Sequence, residues 1–371
     1  MIWTAYAAIL GALLWLSVLA APWRPWSARE QLAVEHGAES DTDLHDVTVL
    51  IPARNEAQVI ARCVSALAAQ GKGLRVVVID DQSTDGTAAA VPTCPALRLE
   101  VIAGRALPEG WAGKLWALEQ GLPQVHTPLI LLLDADIVLA PGMLATLRAR
   151  LLRQRLDLVS VMPRLHMQGF WERLLIPAFI FFFKLLYPFR LANSRPARFA
   201  AAGGCILLRS EALHGIGGFA ALRAALIDDC TLARRFKVAG WRTWIGLTHN
   251  ASSLRRYRRL SEIWNMVARS AFTQLDYSTT ALFACTAIML VAFWGPIAGL
   301  ALGEGLVRWV GLIGLAALCS CYVPTLRYYR LSPFWALLLP LIATLYLAMT
   351  WTSAVRCWRG VRSRWKGRSY T

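Results

Sequence analysis

No charged residue occurs between Ile2 and Ala21. That absence excludes a water-facing surface for the stretch, and a membrane-crossing helix needs ~20 apolar residues. No basic cluster precedes it, as a cleaved secretory leader would require. An uncleaved anchor over residues 1–22 is therefore expected, with the cleaved leader as the competing reading. The chain also lacks the GxxxxGK[ST] phosphate loop, and no glycine-rich dinucleotide fingerprint follows its first strand. Kinases, ATPases and dehydrogenases fall away with those motifs. Its eight cysteines show no paired metal spacing, and Cys319 and Cys321 lie inside an apolar run, which suits reduced, buried thiols.

Acidic residues are few beside basic ones. The formal net charge is +16, and the basic residues gather in LRRYRRL and in the ending RCWRGVRSRWKGRSYT. No nucleic-acid motif accompanies this charge. With 16 tryptophans in the chain, the basic flanks suit an anionic membrane surface instead. Three further apolar segments, about 278–302, 306–325 and 332–355, are long enough to span a membrane. Residues 276–356 thus read as a C-terminal membrane region and 357–371 as a basic tail. A cytoplasmic body followed by three full spans would leave that tail outside, against the positive-inside tendency. Either one segment is re-entrant or interfacial, or the tail breaks the rule.

Between the hydrophobic ends the pattern alternates. VTVLIPAR, RVVVIDD, LEVIAG, LILLLDAD, DLVSVMP and WRTWIGL read as strands. EAQVIARCVSALAAQ, STDGTAAAV, GKLWALEQGL and PGMLATLRARLLRQR read as helices, with Ser83 or Thr84 capping the second. Such alternation predicts an α/β domain with a mostly parallel, Rossmann-like sheet. Ligands of these sheets bind outside the carboxyl ends of the strands. Three strands end in polar groups: Arg54-Asn55-Glu56, Asp80-Asp81 and Asp134-Ala135-Asp136. On an extended segment, Asp134 and Asp136 would point to the same side. Two carboxylates with a divalent ion could hold a diphosphate, since Mg²⁺ binds through few carboxylates plus phosphates.

IPARNEA, VVVIDDQSTDGT, GWAGKLWAL, LLLDAD, AAGGCILLRSEAL and IDDCTLARR occur in an order that resembles the family 2 glycosyltransferases. Among these the chain is most similar to the hopene-associated group of hopanoid biosynthesis, through GWAGKLWAL, the N-terminal anchor and the apolar C-terminus. The resemblance implies a GT-A fold over residues 45–275. It also implies transfer of a sugar, with inversion, from a nucleotide-sugar (UDP-linked by expectation) to an acceptor, with Mg²⁺ or Mn²⁺ as cofactor. The catalytic domain would lie on the cytoplasmic side of a bacterial inner membrane, in a multi-pass protein.

Carried over motif by motif, the resemblance gives the nucleoside to Pro52, Asn55, Glu56, Asp80 and Asp81, with helix capping as the other reading of Ser83 and Asp85. Lys114 becomes a diphosphate or nucleoside contact, or else a solvated lysine. Asp134 would touch ribose or metal, and Asp136 would ligate the metal. Gly203 and Gly204 become the acceptor-side pair, or a simple turn. Asp229 aligns with the catalytic base, and its neighbour Asp228 stands where the family usually has glutamate. A helix start favouring acids is the alternative there. His249 lies where some relatives place a metal ligand, though a lone histidine is more often structural. Arg269 would serve the diphosphate or meet lipid phosphate. Ser270 stands where processive synthases carry tryptophan, which points to single transfer rather than polymer synthesis.

FWERLLIPAFIFFFKLLYPF, near 170–190, reads as a helix pair lying in the membrane interface, and 258–275 as a second interfacial segment. Both flank the acceptor motifs, so a lipid acceptor is expected. Transfer to a polyprenyl phosphate, which needs no base, and a non-catalytic membrane scaffold are the rival readings.

Overall fold

The computed structural model describes residues 2–34, 42–194, 198–225, 227–360, 363–365 and 368–370. Parts of the expected basic tail therefore lie outside the described residues. The strands of the main sheet are β1 (Val47–Ala53), β2 (Arg75–Asp80), β3 (Arg98–Ala103), β4 (Leu129–Leu133), β5 (Ile137–Leu139), β6 (Leu158–Arg164), β7 (Cys205–Arg209) and β8 (Thr243–Ser253). The α-helices are α1 (Ile2–Ala20), α2 (Ile60–Ala68), α3 (Gly113–Gly121), α4 (Met143–Arg153), α5 (Phe170–Leu186) and α6 (Phe189–Ser194). They continue with α7 (Ser210–Gly215), α8 (Asp228–Val238), α9 (Leu260–Ala268), α10 (Thr279–Leu302), α11 (Leu306–Tyr328) and α12 (Leu339–Trp358).

Two compact units divide the chain. One comprises residues 30–166 and 191–256, the other 1–29, 167–190 and 257–371. The helical segments 167–190 and 257–275, expected as part of the 45–275 domain, thus group with the membrane helices.

The sheet of the first unit has the order β3-β2-β1-β4-β7-β6-β8-β5. The pairs β2–β3, β1–β2, β1–β4 and β6–β8 are parallel; β4–β7, β6–β7 and β5–β8 are antiparallel. Parallel strands buried on both faces should be continuously apolar, and β1 and β4 are buried at every position. The chain builds β2 and β3 on one side of β1 and returns on the other with β4. That reversal is a topological switch point, where open α/β sheets bind ligands. Pro52 lies past the β1–β4 ladder, which ends at Leu50 opposite Leu132, so its missing N–H takes nothing from that ladder.

The second unit is helical. Ile2–Ala20, Thr279–Leu302, Leu306–Tyr328 and Pro333–Trp358 are each long and apolar enough to cross a membrane. Close approach of helices in lipid needs small residues, because hydrophobicity does not drive helices together there. Such residues stand at the contacts of α1, α10 and α11. A Cβ on Gly295 would meet Ala7 O at 2.3 Å, one on Gly299 would meet Ala8 Cβ at 2.4 Å, and one on Gly311 would meet Leu300 N at 2.4 Å.

The expected interfacial pair near 170–190 differs. Helix α5 runs unbroken through Pro177, and the break falls at Pro188. Its residues are buried on several sides, with Phe181 stacked on Trp15 and against Tyr322. It is thus an interior helix of this unit. Two charges are buried on it. Glu172 accepts the backbone N–H of Gln168, Gly169 and Tyr257 at 3.0, 2.9 and 2.7 Å. Lys184 donates to Ser27 O at 3.1 Å and Thr325 Oγ1 at 2.9 Å rather than reaching out to a lipid headgroup.

Candidate active site

The end of β1 turns sharply. Asn55 has φ +52°, a left-handed conformation that asparagine tolerates better than most residues. The loop after β2 fastens this turn. Asn55 N–H donates to Ser83 Oγ at 3.0 Å, Glu56 N–H to Thr87 Oγ1 at 2.8 Å and Ala57 N–H to Asp85 Oδ2 at 3.1 Å. Thr84 N–H donates to Asn55 Oδ1 at 2.9 Å. The helix expected from STDGTAAAV does not form, and residues 87–90 make only a turn. Gly86, at φ +84°, interrupts any helical run, and Ser83, Thr84 and Asp85 use their polar groups on the β1 loop instead of capping. Asp80 accepts Ser83 N–H at 3.3 Å. The Asp81 side chain has no exposed surface, and Arg54 reaches its carbonyl oxygen at 2.5 Å and its carboxylate at 4.0 Å. Of the two acids only Asp80 keeps exposed surface; Asp81 supports the loop from within.

A second cluster joins the ends of β4, α3 and α8. Lys114, in the first turn of α3, places its ammonium 2.9 Å from Asp134 Oδ1 and 3.1 Å from Asp228 Oδ2. It also donates to Gly203 O at 3.4 Å. It is not a solvated lysine: its side chain is 22% exposed. Burial alone would lower its pKa, but Asp134 and Asp228 outweigh burial and hold it above the ordinary lysine range. Asp134 is raised, first by burial, with Lys114 opposing.

Asp229 heads the same cluster, with Cys230 N–H donating to its Oδ1 at 2.7 Å. Burial and then the Asp228 charge push its carboxyl up to about 7, against Lys114 and the N–H groups of Cys230 and Gly203. Asp228 and Asp229 also open α8, where acids suit the helix dipole, so both readings of that motif hold. The two glycines part company. A Cβ on Gly203 would stand 3.2 Å from Asp229 Oδ2 and 3.4 Å from Lys114 Nζ, whereas one on Gly204 would meet Pro163 at 3.0 Å and Ile137 at 3.4 Å. Gly203 lets the charged cluster close up, and Gly204 lets the sheet pack.

Asp134 and Asp136 do not point to one side. Ile137 N–H bonds Asp134 O at 3.0 Å, which makes the segment a turn instead of an extended strand. Asp136 turns to different partners: Ser253 Oγ donates to its Oδ2 at 2.6 Å, and Arg255 Nε lies 3.7 Å away. Arg255 also pairs Glu56 Oε1 at 2.8 Å. Sequence reasoning missed Ser253 and Arg255. It assigned Arg255 to a basic stretch facing the membrane, because the expected strand WRTWIGL stops at Leu247 whereas β8 runs on to Ser253.

His249 is exposed on β8, five residues before Leu254, whose N–H bonds Asp136 O at 2.8 Å. At about 3.3 Å per strand residue that is roughly 16 Å along the chain. This arrangement does not bring His249 to Asp136. Arg269 ends α9 in the helical unit and is exposed.

Among the described residues, no three His, Cys, Asp or Glu groups gather as a metal-holding set. The donor chemistry nonetheless fits a hard cation. Asp136 and Asp134 offer carboxylate oxygens, and Mg²⁺ is bound by one or two carboxylates plus substrate phosphates.

These features, acids and a lysine gathered at the switch point of a mixed, mostly parallel sheet, mark a ligand-binding crevice of an α/β protein. A model of the glycosyltransferase like family 2 matches residues 45–272, and the chain belongs to that family, with the GT-A fold. It is 38% identical over 104 residues to the succinoglycan biosynthesis protein ExoU of Rhizobium meliloti. That match spans 28% of this chain and only 29% of ExoU. In structure it is similar to a mannosyltransferase of Pyrobaculum calidifontis, PcManGT, solved with GDP-Man and Mn²⁺. The TM-score is 0.56 at 20% identity, covering 95% of this chain and 98% of that one.

Proposed function

We propose that the protein is a membrane-bound inverting glycosyltransferase that moves a sugar from a nucleotide-sugar to the hydroxyl of a lipid acceptor. One observation carries the chemistry. Asp229 is a buried carboxyl beside Lys114, Asp228 and Asp134 in the switch-point crevice, where burial and the Asp228 charge push it up to about 7. A general base works best when its pKa lies near the working pH.

In this reading Asn55, Glu56 and Asp80 line the nucleoside end, with Pro52 and Asp81 shaping it from beneath. Lys114 stabilises the charge on the leaving diphosphate. Asp136 would hold Mn²⁺ or Mg²⁺, which when bound neutralises diphosphate charge, while Asp134 stays with the Lys114 ammonium. PcManGT carries Mn²⁺ and GDP-Man with a similar fold. Asp229 accepts the acceptor's proton as its oxygen bonds to the sugar carbon, while the bond from that carbon to the diphosphate breaks. Gly203 leaves room beside Asp229.

The lipid acceptor is supported by the four long apolar helices and by the resemblance to the hopene-associated enzymes, which suggests a polycyclic or isoprenoid lipid alcohol. The body would face the cytoplasm. A second reading, a saccharide acceptor in surface-polysaccharide synthesis, is favoured by the match to ExoU.

The test is nucleoside diphosphate release by the detergent-purified protein. UDP-, GDP- and dTDP-sugars are supplied with Mn²⁺, alone, with a lipid extract, or with oligosaccharides. Lipid-stimulated release lost in Asp136→Ala and Asp229→Ala is expected. Release stimulated only by oligosaccharides selects the second reading. Folded variants that keep full activity overturn the assignment of these acids, and activity surviving Asp229→Asn selects a polyprenyl phosphate acceptor.

A further inference from the structure

Within the helical unit, α9 and α12 leave an open groove between them. Its walls include Trp264, Leu347, Ala348, Trp351 and Val355, and Arg356 and Arg359 stand at one end. The polar groups along the walls are paired inside the protein. Trp264 Nε1 donates to Thr352 Oγ1 at 3.2 Å, Trp351 Nε1 to Thr286 Oγ1 at 3.0 Å, and Thr344 and Thr352 donate to the carbonyls of Pro340 and Ala348. What the walls offer an occupant is therefore apolar surface.

The arginines differ. Arg356 spends one donor on Asn265 Oδ1 at 2.8 Å, and Arg359 is exposed. Neither is ion-paired with an acid among the described residues. A guanidinium has five N–H donors in a fork that matches phosphate oxygens.

The length also fits. From Thr344 to Arg356 a helix rises about 18 Å at 1.5 Å per residue. One leaflet of a bilayer is roughly half of its ~30 Å hydrocarbon core. An apolar slot about one leaflet deep, headed by two guanidinium groups that pair with no acid among the described residues, complements an anionic bilayer lipid.

We propose that this groove holds one phosphate-bearing membrane lipid. Its phosphate lies on Arg356 and Arg359, and a hydrocarbon chain lies along Val355, Ala348 and Leu347. The site does not depend on the transfer reaction and would be filled whether or not the enzyme turns over.

Native mass spectrometry of the full-length protein in mild detergent tests this, with added phosphatidylglycerol or phosphatidylcholine of identical chains. One phosphatidylglycerol should be retained at detergent levels that strip phosphatidylcholine. Arg356→Gln with Arg359→Gln should lower that retention about tenfold. Ala348→Trp, which keeps the charge and fills the slot, should lower it as well. A control pair of equal charge loss, Arg308→Gln with Arg330→Gln, should not. Equal retention of the two lipids by the unaltered protein overturns the proposal without recourse to any variant. So does an equal loss in the control pair, which marks general attraction to the positive protein, or undiminished retention in Ala348→Trp.

Discussion

Lys114 and Asp228 stand 3.1 Å apart, and the same ammonium lies 2.9 Å from Asp134. One cation therefore ties the end of β4 to the start of α8. Removing it leaves carboxylates facing one another without compensation. Lys114→Met should lower kcat/KM by about a hundredfold or more, in line with the loss of one preorganised charge partner. Because Lys114 opposes the rise in the Asp229 pKa, the residual activity should need a higher pH than the unaltered enzyme. A pH series of single-turnover rates for both proteins checks this.

The transfer rate should climb with pH and level off near 7, where the Asp229 carboxyl ionises. Below that pH the rate should fall about tenfold per unit, as the deprotonated fraction does. Stability runs the other way. The folded pKa of about 7 exceeds the unsupported value of 3.8, so the folded state binds the extra proton between these limits. Ionisation of Asp229 thus destabilises the fold fully above about 7 and not at all below 3.8. Asp229→Asn should abolish transfer yet raise Tm at pH 8, with the gain shrinking towards pH 4, as differential scanning fluorimetry can show.

The paired glycines should separate when each becomes alanine. In Gly203→Ala the new methyl meets the Asp229 carboxylate at 3.2 Å and the Lys114 ammonium at 3.4 Å, so these two side chains must shift by a few tenths of an ångström. Activity should drop by 10- to 100-fold with Tm nearly unchanged, since small misplacements at a reacting centre are costly. In Gly204→Ala the methyl meets Pro163 and Ile137 in the packed sheet, and overpacking of this kind costs about 1–3 kcal/mol. Tm should fall there. Kinetics and melting of both variants decide the matter.

Glu172 satisfies three backbone N–H groups from two separate segments while itself 2% exposed. In Glu172→Ala those donors lose their acceptor, at about 1–3 kcal/mol per buried group left unmade. A marked fall in Tm in detergent is expected, and Glu172→Gln, which can keep some of these bonds, should recover part of it.

Much of this was legible in the residues. β1, β2 and β4 carry their burial on both faces as unbroken apolar runs, and the four long helices are single apolar stretches between turns. β5 and β7 were not read as strands. Three residues are too few for a periodic signal at β5. β7, CILLR, pairs antiparallel with its neighbours although its apolar run looks no different from a parallel strand. The site was half visible. The resemblance named Lys114, Asp134, Asp228 and Asp229 as site residues, and the structure gathers them in one charged cluster. The resemblance could not show that Asp134 and Asp136 diverge, because a turn replaces the expected extension. Nor could it find Arg255, whose partner Glu56 lies 199 residues away in the chain.

The helical unit is drawn from three stretches of chain, with the whole eight-stranded sheet encoded between them. This has a consequence for the order of synthesis. Helix α1 emerges first, but its small-residue partners on α10 and α11 follow about 260 residues later, a delay of roughly 15–50 s at usual translation speeds. During that interval α1 lacks these partners, and α5, made midway, must wait for α11 and α12 to cover it. Shortening the chain at its C-terminal end would therefore strand both helices, and with them the buried Lys184, without the neighbours that make them stable.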